Sequence, residues 1–157
     1  RNLFKLFQND IGLLASQYAS GIQMKILNDE ISVNYGAIYE NFVAQELVAH
    51  GFGGNEHCIY YYNNKRQGEL DFVIEQDGAT VPIEVKSGKD YDRHNALSNV
   101  MTNPDYAIEK AYVLCNGNLV TRDNIIYAPI YMTMFIDKKH LEKKQIFRID
   151  MTALKQK

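Results

Sequence analysis

Apolar positions change period along the chain, and each change marks an expected element. Residues 3–8 (LFKLFQ) read as a short strand. Residues 10–20 (DIGLLASQYAS) fit a short helix, with Asp10 as its N-cap and Gly21 as its stop. Residues 22–34 match neither template. Within VNYGAIYENFVAQELVAHGF, Tyr35, Tyr39, Phe42, Val43, Glu46 and Leu47 recur at helical spacing and Gly51 is a natural C-terminal stop, the strongest helix signal in the chain.

Strand-like runs follow at 57–64 (HCIYYYNN), 69–75 (ELDFVIE) and 80–86 (TVPIEVK). Residues 91–101 fit a helix ended by Asn103-Pro104. Residues 109–117 (EKAYVLCNG) and 124–132 (NIIYAPIYM) fit two more strands, the second interrupted by Pro129. KKHLEKK, residues 138–144, reads as an exposed helical turn. One helix, a run of three strands and then alternating helix and strand predict an α/β fold, a mixed central β-sheet with flanking helices. The expected organisation is one domain over residues 1–157, with a lead-in strand and helix at 1–32, a core at 33–132 and a C-terminal tail at 133–157.

The chemistry concentrates in GELDFVIEQDGATVPIEVKSG, residues 68–88. Asp77-Gly78 is a strong hairpin signal, because a type I′ turn needs positive φ at both central residues. With those two as the loop, Gln76 faces Ala79, Val73 faces Pro82, Asp71 faces Glu84 and Glu69 faces Lys86. Leu70, Phe72 and Ile74 then share an apolar face with Val81, Ile83 and Val85. The other face opposes two carboxylates, which is destabilising at cross-strand distance. A divalent cation on Asp71 and Glu84, Mg²⁺ or Mn²⁺, offsets that repulsion, with water completing its shell. Such an ion lowers the pKa of a bound water and stabilises charge on a phosphoryl oxygen. Lys86 would orient that water or neutralise developing charge. The alternative is a solvated polar face in which Glu69 and Lys86 form a plain cross-strand ion pair. From the hairpin alone both readings stand.

The long helix offers a third carboxylate. At about 100° per residue, Glu46 falls inside the apolar stripe and Glu40 lies on its edge. Either is costly there unless paired, hydrogen-bonded or metal-bound.

An acidic residue closing one strand, a hairpin, then Glu84-Val85-Lys86 resembles the core of the PD-(D/E)XK nuclease superfamily, with its restriction-endonuclease-like fold. In that superfamily an upstream helix often adds a glutamate, and Gly36-Ala37-Ile38-Tyr39-Glu40 resembles the spacing in Holliday-junction resolvases. The resemblance implies Asp71, Glu84 and Glu40 as metal ligands, with Glu46 as second choice, and Lys86 as a catalytic residue. Leu70 stands where the superfamily usually has proline.

A wider series (KLFQNDIGLLAS, GAIYENFVAQEL, IYYYNN, GELDFVIE, PIEVKSGKDY, KAYVLCNG, IIYAPIYM) is similar to a domain of unknown function found C-terminal to bacterial and archaeal AAA-type ATPases. This implies an ATPase domain of the same chain as a partner. The absence of GxxxxGK[S/T] leaves no ATP site of that kind in these residues. The expected function is a Mg²⁺-dependent nuclease module, with DNA as the expected substrate. Its alternative is an inactive nuclease-fold module that binds nucleic acid or docks a partner and regulates the ATPase.

Tyr60, Tyr61 and Tyr62 precede Lys65 and Arg66, an aromatic-plus-basic stretch suited to stacking bases and touching phosphates. Lys89, Arg93 and His94 would extend that rim, although Asp90 and Asp92 interrupt it. The bland counterpart is tyrosines packed into a core and a basic pair capping an exposed loop. A formal net charge of −2 excludes a wholly basic surface but not a local groove. No apolar run reaches the roughly 20 residues of a membrane span. Cys58 and Cys115 lack zinc-like spacing, which predicts buried free thiols in a reducing compartment, the cytoplasm. Arg1 in place of Met reads as the start of a piece that follows ATPase and winged-helix parts.

Overall fold

The computed structural model describes residues 4–28, 30, 33–54 and 58–137. Four α-helices are present among them: α1 (Ile11–Ser16), α2 (Ser20–Leu27), α3 (Gly36–Ala49) and α4 (Asn95–Met101). The strands are β1 (Tyr60–Asn64), β2 (Gly68–Gln76), β3 (Ala79–Val85), β4 (Ala111–Cys115), β5 (Val120–Arg122) and β6 (Ile125–Pro129). They form one six-stranded sheet in the order β1-β2-β3-β4-β6-β5. β1, β2 and β3 pair antiparallel, β4 is parallel to β3 and to β6, and β5 closes the far edge antiparallel to β6. The protein is thus α/β with a mixed sheet.

Helices cover both faces of that sheet. Val43, Ala44 and Leu47 of α3 pack with Phe72, Ile74, Val81, Ile83 and Val85. Leu97 and Val100 of α4 pack with Leu70, Val113, Cys115, Ile125 and Tyr127. β4 serves both cores, sending Val113 and Cys115 to one and Leu114 to the other, which explains its nearly continuous apolar run. α3 ends where its sequence dictates. Gly51 has φ +90°, and the Phe52 N–H reaches back 2.9 Å to the Leu47 carbonyl, so Phe52 folds into the core.

Several expected boundaries move. Residues 4–8 join no strand ladder. Asp10 does cap α1, its Oδ1 accepting from the Leu13 N–H at 2.9 Å, but that helix ends at Ser16 and Gly21 lies inside α2. α4 begins at Asn95 rather than 91. The last strand stops at Pro129 and passes into a 3₁₀ helix, Ile130–Phe135. β5 is a strand that the hydrophobic pattern does not reveal. All its residues are exposed, and it turns into β6 through Asp123 and Asn124, at φ 48° and 65°. The KKHLEKK turn lies outside the described residues.

The hairpin forms in the expected register from Gln76–Ala79 to Phe72–Ile83, with Asp77 at φ 57° and Gly78 at φ 77°. There the two strands part, and the expected Asp71–Glu84 and Glu69–Lys86 pairs are absent from the ladder. Glu69 pairs instead with Asn63 of β1, and the Lys86 N–H donates to the Leu114 carbonyl of β4 at 2.8 Å. A bulge is the cause. Tyr60 pairs with Val73 but Tyr62 with Leu70, so β2 carries one extra residue over that interval. The pleat changes phase across it. Leu70 and Val73 face the α4 side, while Asp71 and Phe72, consecutive in sequence, both serve the α3 side. Leu70 therefore leaves the face expected for it, and Asp71 arrives beside α3.

Gly68 opens β2 at φ +102°, and a Cβ there would lie 2.8 Å from the Ala96 Cβ of α4. Gly68→Ala combines left-handed backbone strain with that clash. It is expected to destabilise the fold by about 2–3 kcal/mol in urea unfolding. An unchanged midpoint would mean that α4 does not rest on this strand.

Candidate functional site

The site is organised by a residue that no motif marks. Residues 4–8 run with alternating exposure, Phe4, Leu6 and Gln8 outward and Lys5 and Phe7 inward. Phe7 packs on Phe72 with ring centroids 5.4 Å apart. The Gln8 main chain is gripped by the buried Asn41 side chain of α3: its N–H donates to Oδ1 at 2.7 Å, and its carbonyl accepts from Nδ2 at 3.1 Å. Those two anchors carry Lys5, two residues from Phe7 and on the same side of an extended chain, into a cluster of carboxylates.

Lys5 Nζ lies 3.2 Å from Glu40 Oε2, 3.1 Å from Glu69 Oε1 and 3.1 Å from Asp71 Oδ1. It also sits over the Tyr61 ring, 5.3 Å from the centroid. Burial works against its charge, but Asp71 first and then Glu40 and Glu69 outweigh burial and hold its pKa above the ordinary lysine value. Glu40 is raised, by burial and by the Asp71 charge, with Lys5 only partly compensating. Glu69 is held below the usual carboxylate value: burial opposes this, but hydrogen bonds from Tyr61, Lys5 and Asn63 prevail.

Asp71 and Glu84 stand on the two strands where they part. Asp71 Oδ2 accepts from the Val85 N–H at 2.8 Å, so a carboxylate closes the gap that the ladder leaves. Glu84, only 7% exposed, receives Lys86 Nζ on Oε1 at 2.6 Å. Its other oxygen, Oε2, is buried with no hydrogen-bond partner. Burial and the Asp71 charge push the Glu84 pKa up, against the pull of Lys86. A buried half-satisfied carboxylate beside another carboxylate is costly unless a cation completes it.

The donor set fits a hard divalent ion, being entirely oxygen and carrying one uncompensated carboxylate oxygen. Among the described residues no three His, Cys, Asp or Glu side chains converge in metal-holding geometry. Asp71 and Glu84 would therefore supply the protein ligands, with water or phosphate oxygen in the remaining positions. Glu40 stands behind them, joined to Asp71 through Lys5. Glu46 has a separate partner, His50 Nε2 at 3.8 Å one turn along α3.

Tyr61 lies under Lys5, whereas Lys65 and Arg66 are exposed in the β1–β2 turn and Lys89 and Arg93 are exposed after β3. A cleft of about 720 Å³ opens next to Asp71, between residues 4–9, α3 and β1. Phe4, Val48, Ile59, Tyr60 and Tyr61 are among its walls. Cys115 is buried as expected and Cys58 only partly; both are free, and burial raises the Cys115 thiol above its ordinary value. His94 does not join the expected basic rim: it is buried, with Nε2 2.6 Å from the Tyr127 hydroxyl and Nδ1 3.2 Å from the Ser98 hydroxyl. Among the described residues no helix is long and apolar enough to cross a membrane.

One family model, described as a domain of unknown function (DUF4143), matches residues 35–133. The matched span takes in Glu40, Asp71, Glu84 and Lys86 and begins after Lys5. No curated protein and no solved structure matches the chain.

Proposed function

The chain belongs to the family DUF4143, and from that premise we propose that it is a metal-dependent phosphodiesterase acting on nucleic acid, with DNA as the expected substrate. The observation that carries the reading is the buried, unpartnered Glu84 Oε2 beside Asp71 and Lys86. The antiparallel hairpin, Glu84 and Val85 at the end of β3 with Lys86 just after it, and the α3 carboxylate together support a restriction-endonuclease-like, PD-(D/E)XK core.

In this reading Asp71 and Glu84 bind Mg²⁺ or Mn²⁺, and Glu40 supports them from α3. The bound ion supplies an acidified water and charge stabilisation at the phosphoryl group. Lys86, an ammonium 2.6 Å from Glu84, holds the attacking oxygen and counters negative charge as it develops. Tyr61 and the adjoining cleft receive a base. The exposed Lys65, Arg66, Lys89 and Arg93 meet the backbone as a thin phosphate rim, consistent with a chain whose overall charge is slightly negative. The partner expected from the wider resemblance is an AAA-type ATPase domain of the same chain, in the cytoplasm.

One observation favours the inactive binding or docking module instead: Lys5 sits on Asp71 Oδ1, where a metal would bind. The experiment that separates the two readings incubates the domain with single-stranded, duplex and branched DNA and with RNA, in Mg²⁺ and in Mn²⁺. Metal-dependent cleavage that falls by about three orders of magnitude in Asp71→Asn supports the enzyme. Binding without cleavage under both metals, or cutting undiminished in Asp71→Asn, rejects it.

A further inference from the structure

We propose that Lys5 is a built-in counter-ion of the carboxylate cluster which a divalent cation must displace, so that metal binding and the seating of residues 4–8 exclude one another. The inference rests on the metal reading above and names what regulates that site.

Ligand accounting leads to it. Asp71 has two oxygens, and both are taken: Oδ2 by the Val85 N–H at 2.8 Å and Oδ1 by Lys5 at 3.1 Å. The Oδ2 bond stitches β2 to β3 where their ladder ends, so Oδ1 is the oxygen available to a metal. Glu84 is arranged differently. Lys86 takes one of its oxygens and leaves the other unpartnered. Between the two expected ligands, then, only Asp71 has to be released. An ammonium and a divalent ion on one partly buried oxygen repel strongly.

The mechanics allow the exchange. Lys5 is held through its side chain and by the anchors at Phe7 and Gln8, not by a strand ladder. Its neighbours Phe4 and Leu6 are 73% and 85% exposed, so Lys5 can swing out without opening the core. Its departure frees Asp71 Oδ1 and leaves the Glu40 charge uncompensated beside it, while Glu69 keeps its bond from Asn63, so the net negative charge around Asp71 favours a doubly charged occupant over a singly charged one. Phe4 and Lys5 also line the cleft beside Asp71, so the same movement widens the approach to the ligands.

The test is Mn²⁺ binding followed by electron paramagnetic resonance in wild type, Lys5→Met, Lys5→Arg and Asp71→Asn, with thermal unfolding to verify that each is folded. Lys5→Met keeps an apolar stem and removes the charge. It is expected to tighten Mn²⁺ binding about tenfold, a usual size for coupled equilibria, while Lys5→Arg stays near wild type. By reciprocity, saturating Mn²⁺ should accelerate hydrogen exchange of the Gln8 amide, the one bonded to Asn41 Oδ1, in the wild type.

If wild type binds Mn²⁺ through Asp71 but Lys5→Met binds equally or more weakly, the counter-ion role falls and the metal site stands. If neither protein binds Mn²⁺, both fall. Should Lys5→Met not fold, exchange in the wild type decides: unchanged protection of the Gln8 amide at saturating Mn²⁺ overturns the proposal, and faster exchange supports it.

Discussion

Glu84→Gln is expected to weaken Mn²⁺ binding by at least about a hundredfold and, in the same protein, to raise the free energy of unfolding by about 1 kcal/mol at neutral pH. Both effects come from one side chain. Glu84 is 7% exposed, has one unpartnered oxygen and lies within reach of the Asp71 charge. Its ionised form is thus worse off in the folded protein than in the unfolded chain, and Lys86 only partly relieves it. The amide keeps the shape and removes the charge, so the fold gains what the ligand set loses.

The pH dependence follows from the same shift. A carboxyl whose pKa is raised on folding contributes stability that is present below its ordinary value of 4.5 and lost as pH rises through the raised value. Wild type and Glu84→Gln should therefore differ least in acid and separate as pH rises from there to neutrality. Glu40 acts in the same direction as Glu84. Glu69, with its pKa lowered, contributes above the ordinary value and loses that contribution as pH falls through the lowered one. Urea unfolding at several pH values, paired with Mn²⁺ titration, provides the check. A mutant less stable than wild type at neutral pH would show that Glu84 is a satisfied structural carboxylate, and the metal reading would lose its main support.

The largest loss of stability is expected from Phe72→Ala, about 3–5 kcal/mol. Phe72 is 1% exposed, lies within the bulged interval of β2 and joins the core formed with α3. It is also the surface on which Phe7 rests. Truncation therefore leaves a cavity and removes the seat that delivers Lys5 to its carboxylates. Leu97→Ala is the control, a fully buried side chain on the opposite face. Guanidinium unfolding should show multi-kcal/mol losses for both, about 2–5 kcal/mol for the leucine. Hydrogen exchange should show the Gln8 amide, bonded to Asn41 Oδ1, deprotected in Phe72→Ala alone. Equal deprotection in the two mutants would mean that the segment follows global stability rather than the Phe7–Phe72 contact.

Much of this protein was legible before its structure. The period of Tyr35 to Leu47 and the stop at Gly51 determined α3, because a helix is encoded by local spacing and a glycine-tolerant end. Asp77-Gly78 determined a turn, and through it five residue pairs of the β2–β3 hairpin. The alternation of β2 and β3, with the apolar run of β4, was enough to predict a mixed sheet covered by helices.

Tertiary structure decided the rest. The bulge opposite Tyr60–Tyr62 belongs to a pairing between two strands, and no residue in β2 announces it. That bulge separates Leu70 from the face of Phe72 and brings Asp71 to α3. β5 is an exposed edge with no apolar alternation to betray it. Lys5 is the clearest case. Its partners stand 35, 64 and 66 positions away in the chain, and a lone lysine near a phenylalanine carries no local signal of the three carboxylates that it meets. Short-range spacing is written in the sequence because it acts within a few residues. Convergence of charges across the sheet exists only once packing has chosen which distant residues become neighbours.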